Sequence, residues 1–162
     1  MLPEGFGMLK IRAATKEDRR LLWEWANDSE ARAASFNSEQ IAWGQHVKWF
    51  DKKMHDPNCY LYVITNEKSE PIGQIRFDIE KPGAAVISVG MERQIRNRGY
   101  GTQALELSLR RISKDADVRQ VVAYVKPENR QSIRAFEKAG FAKMVECNVK
   151  GQPALQFLWQ RC

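Results

Sequence analysis

The sequence predicts an α/β (α+β) domain built on a single mixed, mostly antiparallel central sheet that is flanked by helices. The hydrophobic period switches repeatedly between two and about 3.6 residues along the chain. Turn residues separate these periodic segments, and no linker, internal repeat or low-complexity tract interrupts them. A length of 162 residues with 43% apolar residues suits one hydrophobic core. We therefore expect one domain that spans residues 1–162.

The first third of the chain predicts a strand followed by two helices. Residues 8–14 alternate as a strand does, and Thr15 with Asp18 resembles a capping box that opens a helix ending near Asp28. A second helix is predicted over about 41–54, because its apolar residues recur at helical spacing.

The rest of the chain alternates between predicted strands and helices. The predicted strands are 60–65, 72–80, 84–91, 119–127, 142–149 and 154–160, and the predicted helices are about 101–114 and 129–139. The strand at 84–91 is apolar on both sides, which is typical of a central strand. In the strand before it, the polar side chains of Gln74, Arg76 and Asp78 share one face.

Composition limits the possible partners. The formal charge of +6 attracts anions, yet no block of five or more like charges marks a nucleic-acid tail. No apolar run is long enough for a signal peptide or for a membrane-spanning helix, which takes roughly 20 residues. Cys59, Cys147 and Cys162 lack metal-ligand spacing, so reduced thiols are expected. We expect a cytoplasmic protein with no bound metal, no membrane contact and no nucleic-acid partner.

The segment RQIRNRGYGTQALEL, residues 93–107, joins the predicted central strand to the start of a helix. The first N–H groups of a helix lack partners within it, and the helix dipole adds partial positive charge there. Gly99 and Gly101 carry no Cβ and let the backbone approach an anion closely, while Arg96 and Arg98 add positive charge. The pattern is neither a Walker loop nor a Rossmann fingerprint. The segment is therefore predicted to bind a phosphate group.

Two motifs resemble the GNAT acetyltransferase superfamily, and the resemblance covers nearly the whole chain. Arg96-Asn97-Arg98-Gly99-Tyr100-Gly101 fits the signature Arg/Gln-x-x-Gly-x-Gly/Ala, and Asn129, Ser132 and Lys138-Ala139-Gly140-Phe141 follow one strand and one helix later. The resemblance implies a GNAT-like acyl-CoA N-acyltransferase fold. It also implies acetyl-CoA as the acetyl donor and coenzyme A as the product.

By this resemblance, the pyrophosphate of acetyl-CoA lies on the backbone amides from about Arg96 to Thr102. The pantetheine arm would run beside Val89–Met91, where the strand pair splays, and Asn129 would hydrogen-bond to it. Lys138 would meet the ribose phosphate. The residues implied in cofactor binding are Val89, Gly90, Met91, Arg96, Asn97, Arg98, Gly99, Tyr100, Gly101, Thr102, Asn129, Ser132, Phe136 and Lys138.

Acetyl transfer to an amine needs a neutral amine and a polarised thioester carbonyl. By the same resemblance, a backbone N–H near Val89 or Gly90 would serve the oxyanion. Asp78, or Glu80 beyond it on the same strand, is a candidate base, acting directly or through water. The alternative is that Asp78 forms a solvent-facing ion pair with Arg76.

The proton donor for the departing thiolate is a second open point. Many relatives carry a tyrosine at the position that Phe136 occupies in this chain. Ser132, Tyr124 or water would take its place. A thiol pKa of about 8.5 makes thiolate a moderate leaving group, so catalysis is expected mainly from positioning.

The segment between the first two helices is similar to that of acetyltransferases that act on UDP-linked amino sugars in pseudaminic-acid-type pathways. The similarity includes Trp25, Asn27-Asp28, Arg32, Ser35-Phe36-Asn37-Ser38, Ile41, His46 and Trp49-Phe50, and it continues at Gly73-Gln74-Ile75-Arg76-Phe77-Asp78. It implies the 4-amino group of a UDP-linked deoxy sugar as the acceptor. The residues expected to bind this acceptor are Arg32, Asn37, Arg76 and Asp78, since an arginine fork suits a diphosphate.

Two alternative functions stay open at this stage. One is an acetyltransferase for protein N-termini of the ribosomal-protein alanine type, which would need an open peptide groove. The other is a non-catalytic module that binds coenzyme A or RNA. His46 is expected to be a hydrogen-bonding surface histidine rather than a base, and the protein is expected to be a monomer or a homodimer.

Overall fold

In the computed structural model, which describes residues 8–92 and 99–162, strands and helices follow one another in the predicted order, with one added helix. The strands are β1 (Lys10–Ala13), β2 (Cys59–Thr65), β3 (Pro71–Lys81), β4 (Ala84–Met91), β5 (Gln120–Val125), β6 (Ala142–Val149) and β7 (Gln152–Gln160). The helices are α1 (Arg19–Ala26), α2 (Ser29–Ala34), α3 (Trp43–Met54), α4 (Tyr100–Ala116) and α5 (Arg130–Lys138). Within the described ranges, no helix has the length and apolar content needed to cross a membrane.

All of these strands form one seven-stranded sheet in the order β1-β2-β3-β4-β5-β7-β6. Strands β4 and β5 run parallel, and the other neighbouring pairs are antiparallel. The connection from β4 to β5 contains α4, as expected for parallel neighbours, which need a long crossover. The predicted mixed, mostly antiparallel sheet is therefore confirmed.

Helices cover both faces of the sheet, because the strands carry apolar side chains on both sides. On one face, Leu105 of α4 and Phe136 of α5 are buried in the cluster that contains Phe77 of β3. On the other face, Phe50 of α3 is buried in the cluster that contains Val63 of β2. We refer to these two sides as the α4 face and the α3 face.

Two of the differences from the sequence prediction, the added helix α2 and the start of β7, have local reasons. A new helix, α2, begins after α1, because the Asp28 side chain accepts a hydrogen bond from the Ala31 N–H at 3.1 Å and caps it. Strand β7 begins at Gln152, earlier than predicted, because Lys150 and Gly151 close a two-residue turn with φ of +51° and +76°. Positive φ at both central residues is typical of a type I′ hairpin.

The pairing between β4 and β5 is short. It begins with Ala84 opposite Gln120 and ends with Val86 opposite Val122. Beyond that point β4 stays paired with β3 as far as Met91, and β5 stays paired with β7. The two central strands therefore separate towards their C-terminal ends and leave an opening in the middle of the sheet.

Candidate active site

The predicted cofactor residues of β4 flank this opening. Val89 is 36% exposed, although Ile87, two residues earlier on the same face of the strand, is buried. Met91 packs against Gly73 of β3 so closely that a Cβ at Gly73 would lie 2.6 Å from its sulfur. An exposed apolar side chain in a central strand is a surface whose burial by a ligand would be favourable.

The start of α4 has the features of an anion site. Gly99 is the N-cap residue, with φ of +80° in the left-handed region that glycine adopts without strain. Glycine has no side chain that could cap the first turn, Tyr100 to Thr102, so its amides suit an anion. A Cβ at Gly101 would lie 3.7 Å from the Cβ of Ala135, so α4 and α5 pack closely there. The predicted phosphate ligands Arg96, Asn97 and Arg98 lie outside the described residues.

The predicted residues of α5 take three different positions. Asn129 caps the helix, since its Oδ1 accepts a hydrogen bond from the Ser132 N–H at 3.3 Å. Ser132 is half-buried, and Lys138 is exposed in the last turn. Phe136 is 7% exposed and packs edge-on against Phe141, with ring centroids 5.0 Å apart. Its ring is part of the core on the α4 face, and its contact with the cofactor stays a prediction.

A row of polar side chains crosses the α3 face on both sides of the opening. Arg76 on β3 stands opposite Ser88 on β4, and its Nη2 donates a hydrogen bond to Ser88 Oγ at 3.1 Å. Tyr124 on β5 stands opposite Gln156 on β7, and Gln156 Nε2 donates to the Tyr124 hydroxyl at 3.4 Å. Tyr124 is 38% exposed. The row places an arginine and a tyrosine on the same face, one on each side of the separated strands.

Asp78, the candidate base, is an ion-paired carboxylate. Its Oδ1 accepts a hydrogen bond from Lys53 Nζ and its Oδ2 accepts one from Arg76 Nε, both at 2.8 Å. Burial alone raises the pKa of Asp78, but the Lys53 hydrogen bond and the Arg76 charge outweigh it and hold the pKa below its usual range. A carboxylate with a lowered pKa is a weak base. These contacts favour the ion-pair alternative, with a pair that is largely buried rather than solvent-facing.

Helix α3 contacts the guanidinium of Arg76 through the ring of Trp49. The guanidinium carbon lies 5.2 Å from the centroid of the Trp49 ring. Trp49 and Lys53 are four residues apart on α3, so they project from the same side of the helix towards the same strand. Stacking on the ring and hydrogen bonds to Asp78 and Ser88 fix the plane of the guanidinium.

His46, on the same helix, is 3% exposed, so the predicted surface position is wrong. It shares the buried side of α3 with Phe50, four residues later, and also lies against Trp49. Its Nε2–H donates a hydrogen bond to the carbonyl of Arg19 at 2.8 Å, as a hydrogen-bonding rather than catalytic histidine would. Burial lowers the pKa of His46, which keeps the ring neutral near pH 7.

Residues 29–40, which we call the cover, lie over one side of the α3 face. Arg32 donates hydrogen bonds to the carbonyls of Ala26 at 2.7 Å, Asn37 at 2.8 Å and Glu39 at 3.1 Å. Asn37 Oδ1 accepts a hydrogen bond from the Glu39 N–H at 3.2 Å. Both predicted acceptor ligands therefore shape the cover itself, and their contact with a substrate stays a prediction.

Two hydrogen bonds join the cover to the strands on the other side of the opening, β5 and β7. Lys126 Nζ, directly after β5, donates to the carbonyl of Ala33 at 2.8 Å. Gln152 Nε2, at the start of β7, donates to the carbonyl of Phe36 at 2.6 Å. These two hydrogen bonds join the cover to the ends of β5 and β7.

Three residues of this site do not stand out in sequence reasoning: Lys53, Ser88 and Gln156. Ser88 and Gln156 each interrupt an otherwise apolar strand, and that interruption is the signal that could have found them. Lys53 had no such signal, because lysines are common on exposed helix faces.

Residues 8–142 match the family model described as the acetyltransferase (GNAT) domain. The chain belongs to this family. This GNAT protein is an acetyl-CoA-dependent N-acetyltransferase, which confirms the predicted cofactor and reaction class and sets aside a purely non-catalytic module.

This GNAT acetyltransferase is 26% identical over 141 residues to a Bacillus subtilis (strain 168) protein named "Putative phosphinothricin acetyltransferase YwnH", covering 83% of this chain and 85% of that protein. AAC(6')-Ib, solved with paromomycin and acetyl-CoA, has a TM-score of 0.84 at 20% identity, over 96% of this chain and 94% of that chain. The spermidine N-acetyltransferase of Vibrio cholerae, solved with CoA and spermine, has a TM-score of 0.84 at 15% identity, over 94% of this chain and 95% of that chain. At these identities the two solved structures show a shared fold.

Proposed function

We propose that this acetyltransferase transfers the acetyl group of acetyl-CoA to the 4-amino group of a UDP-linked deoxy amino sugar. The observation that carries the proposal is the charge of a cluster on the α3 face, where Lys53 and Arg76 both pair with the carboxylate of Asp78. Two cations against one anion attract a diphosphate and repel a polycationic amine. The sequence similarity of the cover to UDP-amino-sugar acetyltransferases supports the same acceptor.

The opening between β4 and β5 suits the cofactor. Gly99 itself offers no side-chain cap to the first turn of α4, which fits the pyrophosphate. Val89, exposed in the opening, fits the pantetheine arm. Bound acetyl-CoA supplies an activated thioester. Asn129 and Lys138 remain proposed contacts to pantetheine and the ribose phosphate.

The residues of the α3 face position the acceptor and move its proton. In the reaction an N–C bond forms, the C–S bond breaks, and one amine proton ends on the sulfur of coenzyme A. Tyr124 is suited to pass that proton, because Gln156 donates into its oxygen and so directs the hydroxyl hydrogen elsewhere. Ser132, at the start of α5, is the second candidate acid. Asp78 then serves to hold Arg76 and Lys53 rather than to accept a proton.

Zwitterionic amino acids of the phosphinothricin type are a second candidate acceptor class. The Bacillus subtilis relative carries that name at 26% identity. The acidic groups of such a compound would suit the same positive face. Protein N-termini are expected to suit the site less well, because the hydrogen bonds from Lys126 and Gln152 hold the cover against β5 and β7 and leave less room for an extended peptide.

Release of free coenzyme A from acetyl-CoA tests the proposal when rival acceptors are compared at equal concentration. The acceptors are a UDP-linked 4-amino sugar, phosphinothricin, an N-terminal alanine peptide and spermidine. We expect the highest kcat/KM with the sugar, and acetylation at its 4-amino nitrogen by mass spectrometry and NMR. Preference for spermidine or for the peptide would contradict the proposal, and preference for phosphinothricin would support the second candidate.

A further inference from the structure

The side-chain amide oxygen of Gln74 on β3 is buried without a hydrogen-bond partner among the described residues. Within the part of the chain that the structure describes, no other buried side-chain oxygen or nitrogen lacks a partner. Buried polar atoms are nearly always paired, because an unpaired one has lost its hydrogen bonds to water. Such an atom beside a substrate site indicates a hydrogen bond that forms when a ligand enters.

Gln74 lies on the α3 face at the edge of the opening. It pairs with Gly90 of β4, and a Cβ at Gly90 would lie 2.9 Å from its Nε2. The amide group therefore lies over the Gly90 backbone, in space that exists because residue 90 has no side chain. Gly90 follows Val89, which flanks the opening, and Arg76 lies two residues along β3 on the same face as Gln74. The amide of Gln74 therefore lies where the α3 face meets the opening between β4 and β5.

We propose that Gln74 Oε1 accepts a hydrogen bond from the reacting amine of the acceptor and so aims its lone pair at the thioester. A neutral primary amine has two N–H donors and one lone pair, so a hydrogen bond to one N–H limits where the lone pair points. The nitrogen gains positive charge as it attacks, and the hydrogen bond to Gln74 strengthens at that moment. The N–C bond forms, the C–S bond breaks, and the released amine proton ends on the coenzyme A sulfur.

This inference rests on the proposed use of the α3 face as the acceptor site, but it requires only a primary amine. The test compares the wild type with Gln74→Leu, which removes the oxygen, and Gln74→Glu, which keeps an oxygen at the same reach. Gln160→Leu on β7, at the other end of the sheet, is the matched control. For each protein, kcat and KM are measured with a UDP-linked 4-amino sugar and with ethanolamine, together with Kd for coenzyme A and Tm.

We expect Gln74→Leu to lower kcat about 10- to 100-fold with both amines, the range for loss of a hydrogen bond to a charged group. Its Tm should stay the same or rise, because an unpaired buried oxygen is replaced by an apolar side chain. Affinity for coenzyme A should not change. Gln74→Glu should keep kcat within about fivefold of the wild type, because a carboxylate oxygen accepts the same hydrogen bond.

Three results would overturn the role of Gln74. They are an unchanged kcat in Gln74→Leu with any amine that the wild type acetylates, a clear fall in its Tm, or a Gln74→Glu variant as slow as Gln74→Leu. The second result would show that Gln74 has a structural role. The third would show that the amide nitrogen of Gln74, rather than its oxygen, contributes to kcat. If the wild type acetylates ethanolamine but not the sugar, the proposed function fails, and the ethanolamine comparison still decides the role of Gln74.

Discussion

Tyr124 and Asp78 are both candidates for proton transfer, and their surroundings differ. Tyr124 is 38% exposed on β5, and the one hydrogen bond described for its hydroxyl comes from Gln156. Asp78 is held by Lys53 and Arg76, which keep its pKa low although burial opposes them. The exposed hydroxyl can meet a substrate, whereas the carboxylate is occupied by its cations.

Tyr124→Phe is expected to lower kcat about 10- to 100-fold, because it removes the proposed acid while water can replace it in part. Affinity for coenzyme A, measured by isothermal titration calorimetry, should not change. Tyr60→Phe is the matched control, since Tyr60 packs against the core on the α4 face. An unchanged kcat in Tyr124→Phe would assign the proton to Ser132 or to water.

Asp78→Asn is expected to raise KM for the acceptor about tenfold and to change kcat less than about threefold, because it loosens Arg76 without removing a base. Removing one partner of this largely buried pair should also lower the free energy of unfolding by about 1–3 kcal/mol. Asp117→Asn is the control, since that side chain is 71% exposed. A fall in kcat of about a thousandfold at unchanged KM would instead make Asp78 the general base.

Asp78→Asn should also change how the stability of the protein depends on pH. The folded-state pKa of Asp78 is lowered, so its contribution to stability is complete above the ordinary carboxyl pKa of about 4. That contribution disappears as the pH falls through the lowered value. In Asp78→Asn, the acid-induced fall in Tm should therefore be smaller than in the wild type.

At the scale of elements, two glycines with the same backbone conformation serve different turns. Gly99 starts α4 with φ of +80°, and Gly83 joins β3 to β4 with φ of +82°. A Cβ at Gly83 would meet no atom within 4 Å. The backbone strain of a substitution is therefore similar at the two positions, while only the turn at Gly99 borders the proposed phosphate site.

Gly99→Ala and Gly83→Ala are each expected to cost about 1–2 kcal/mol of stability, because alanine is strained at positive φ. Only Gly99→Ala should weaken coenzyme A binding, by about tenfold, since a shift of the first turn misplaces its amides. Chemical denaturation measures the first effect and calorimetric titration measures the second. Equal coenzyme A affinity in the two variants would contradict the phosphate site at α4.

At the scale of the whole molecule, buried and paired titratable groups make stability depend on pH. Asp18 is 6% exposed, and Arg12 donates to both of its oxygens at 2.8 Å, so its pKa is lowered although burial opposes the shift. His46 is buried and neutral because burial lowers its pKa. Each of these groups has a lowered pKa in the folded state, so each makes the protein less stable as the pH falls.

The Tm of the wild type is expected to fall between pH 7 and pH 5. The folded-state pKa of His46 lies below the ordinary value of about 6.5, so the unfolded state binds its proton first and stability decreases as the pH is lowered. His46→Gln should show a smaller fall over the same range, measured by thermal melts. Parallel curves for the two proteins would show that His46 does not cause the fall.

The order of strands and helices and the family could be predicted from the sequence because their signals are local. Hydrophobic period, turn residues and the Arg96–Gly101 motif each lie within a few neighbouring residues. The same local reasoning missed α2, because it ended the first helix near Asp28 and did not recognise that Asp28 caps a second helix.

The contacts among the side chains of the α3 face were decided by the tertiary structure. Lys53 meets Asp78 only because α3 crosses β3, and Gln152 meets Phe36 across 116 positions of the chain. Such contacts depend on strand order and register, which hydrophobic period does not specify. The sequence by itself therefore determined the elements, the family and the reaction class. Only packing at a distance decided that Asp78 is held in an ion pair, that Phe136 fills the core and that Gln74 has an unpaired oxygen.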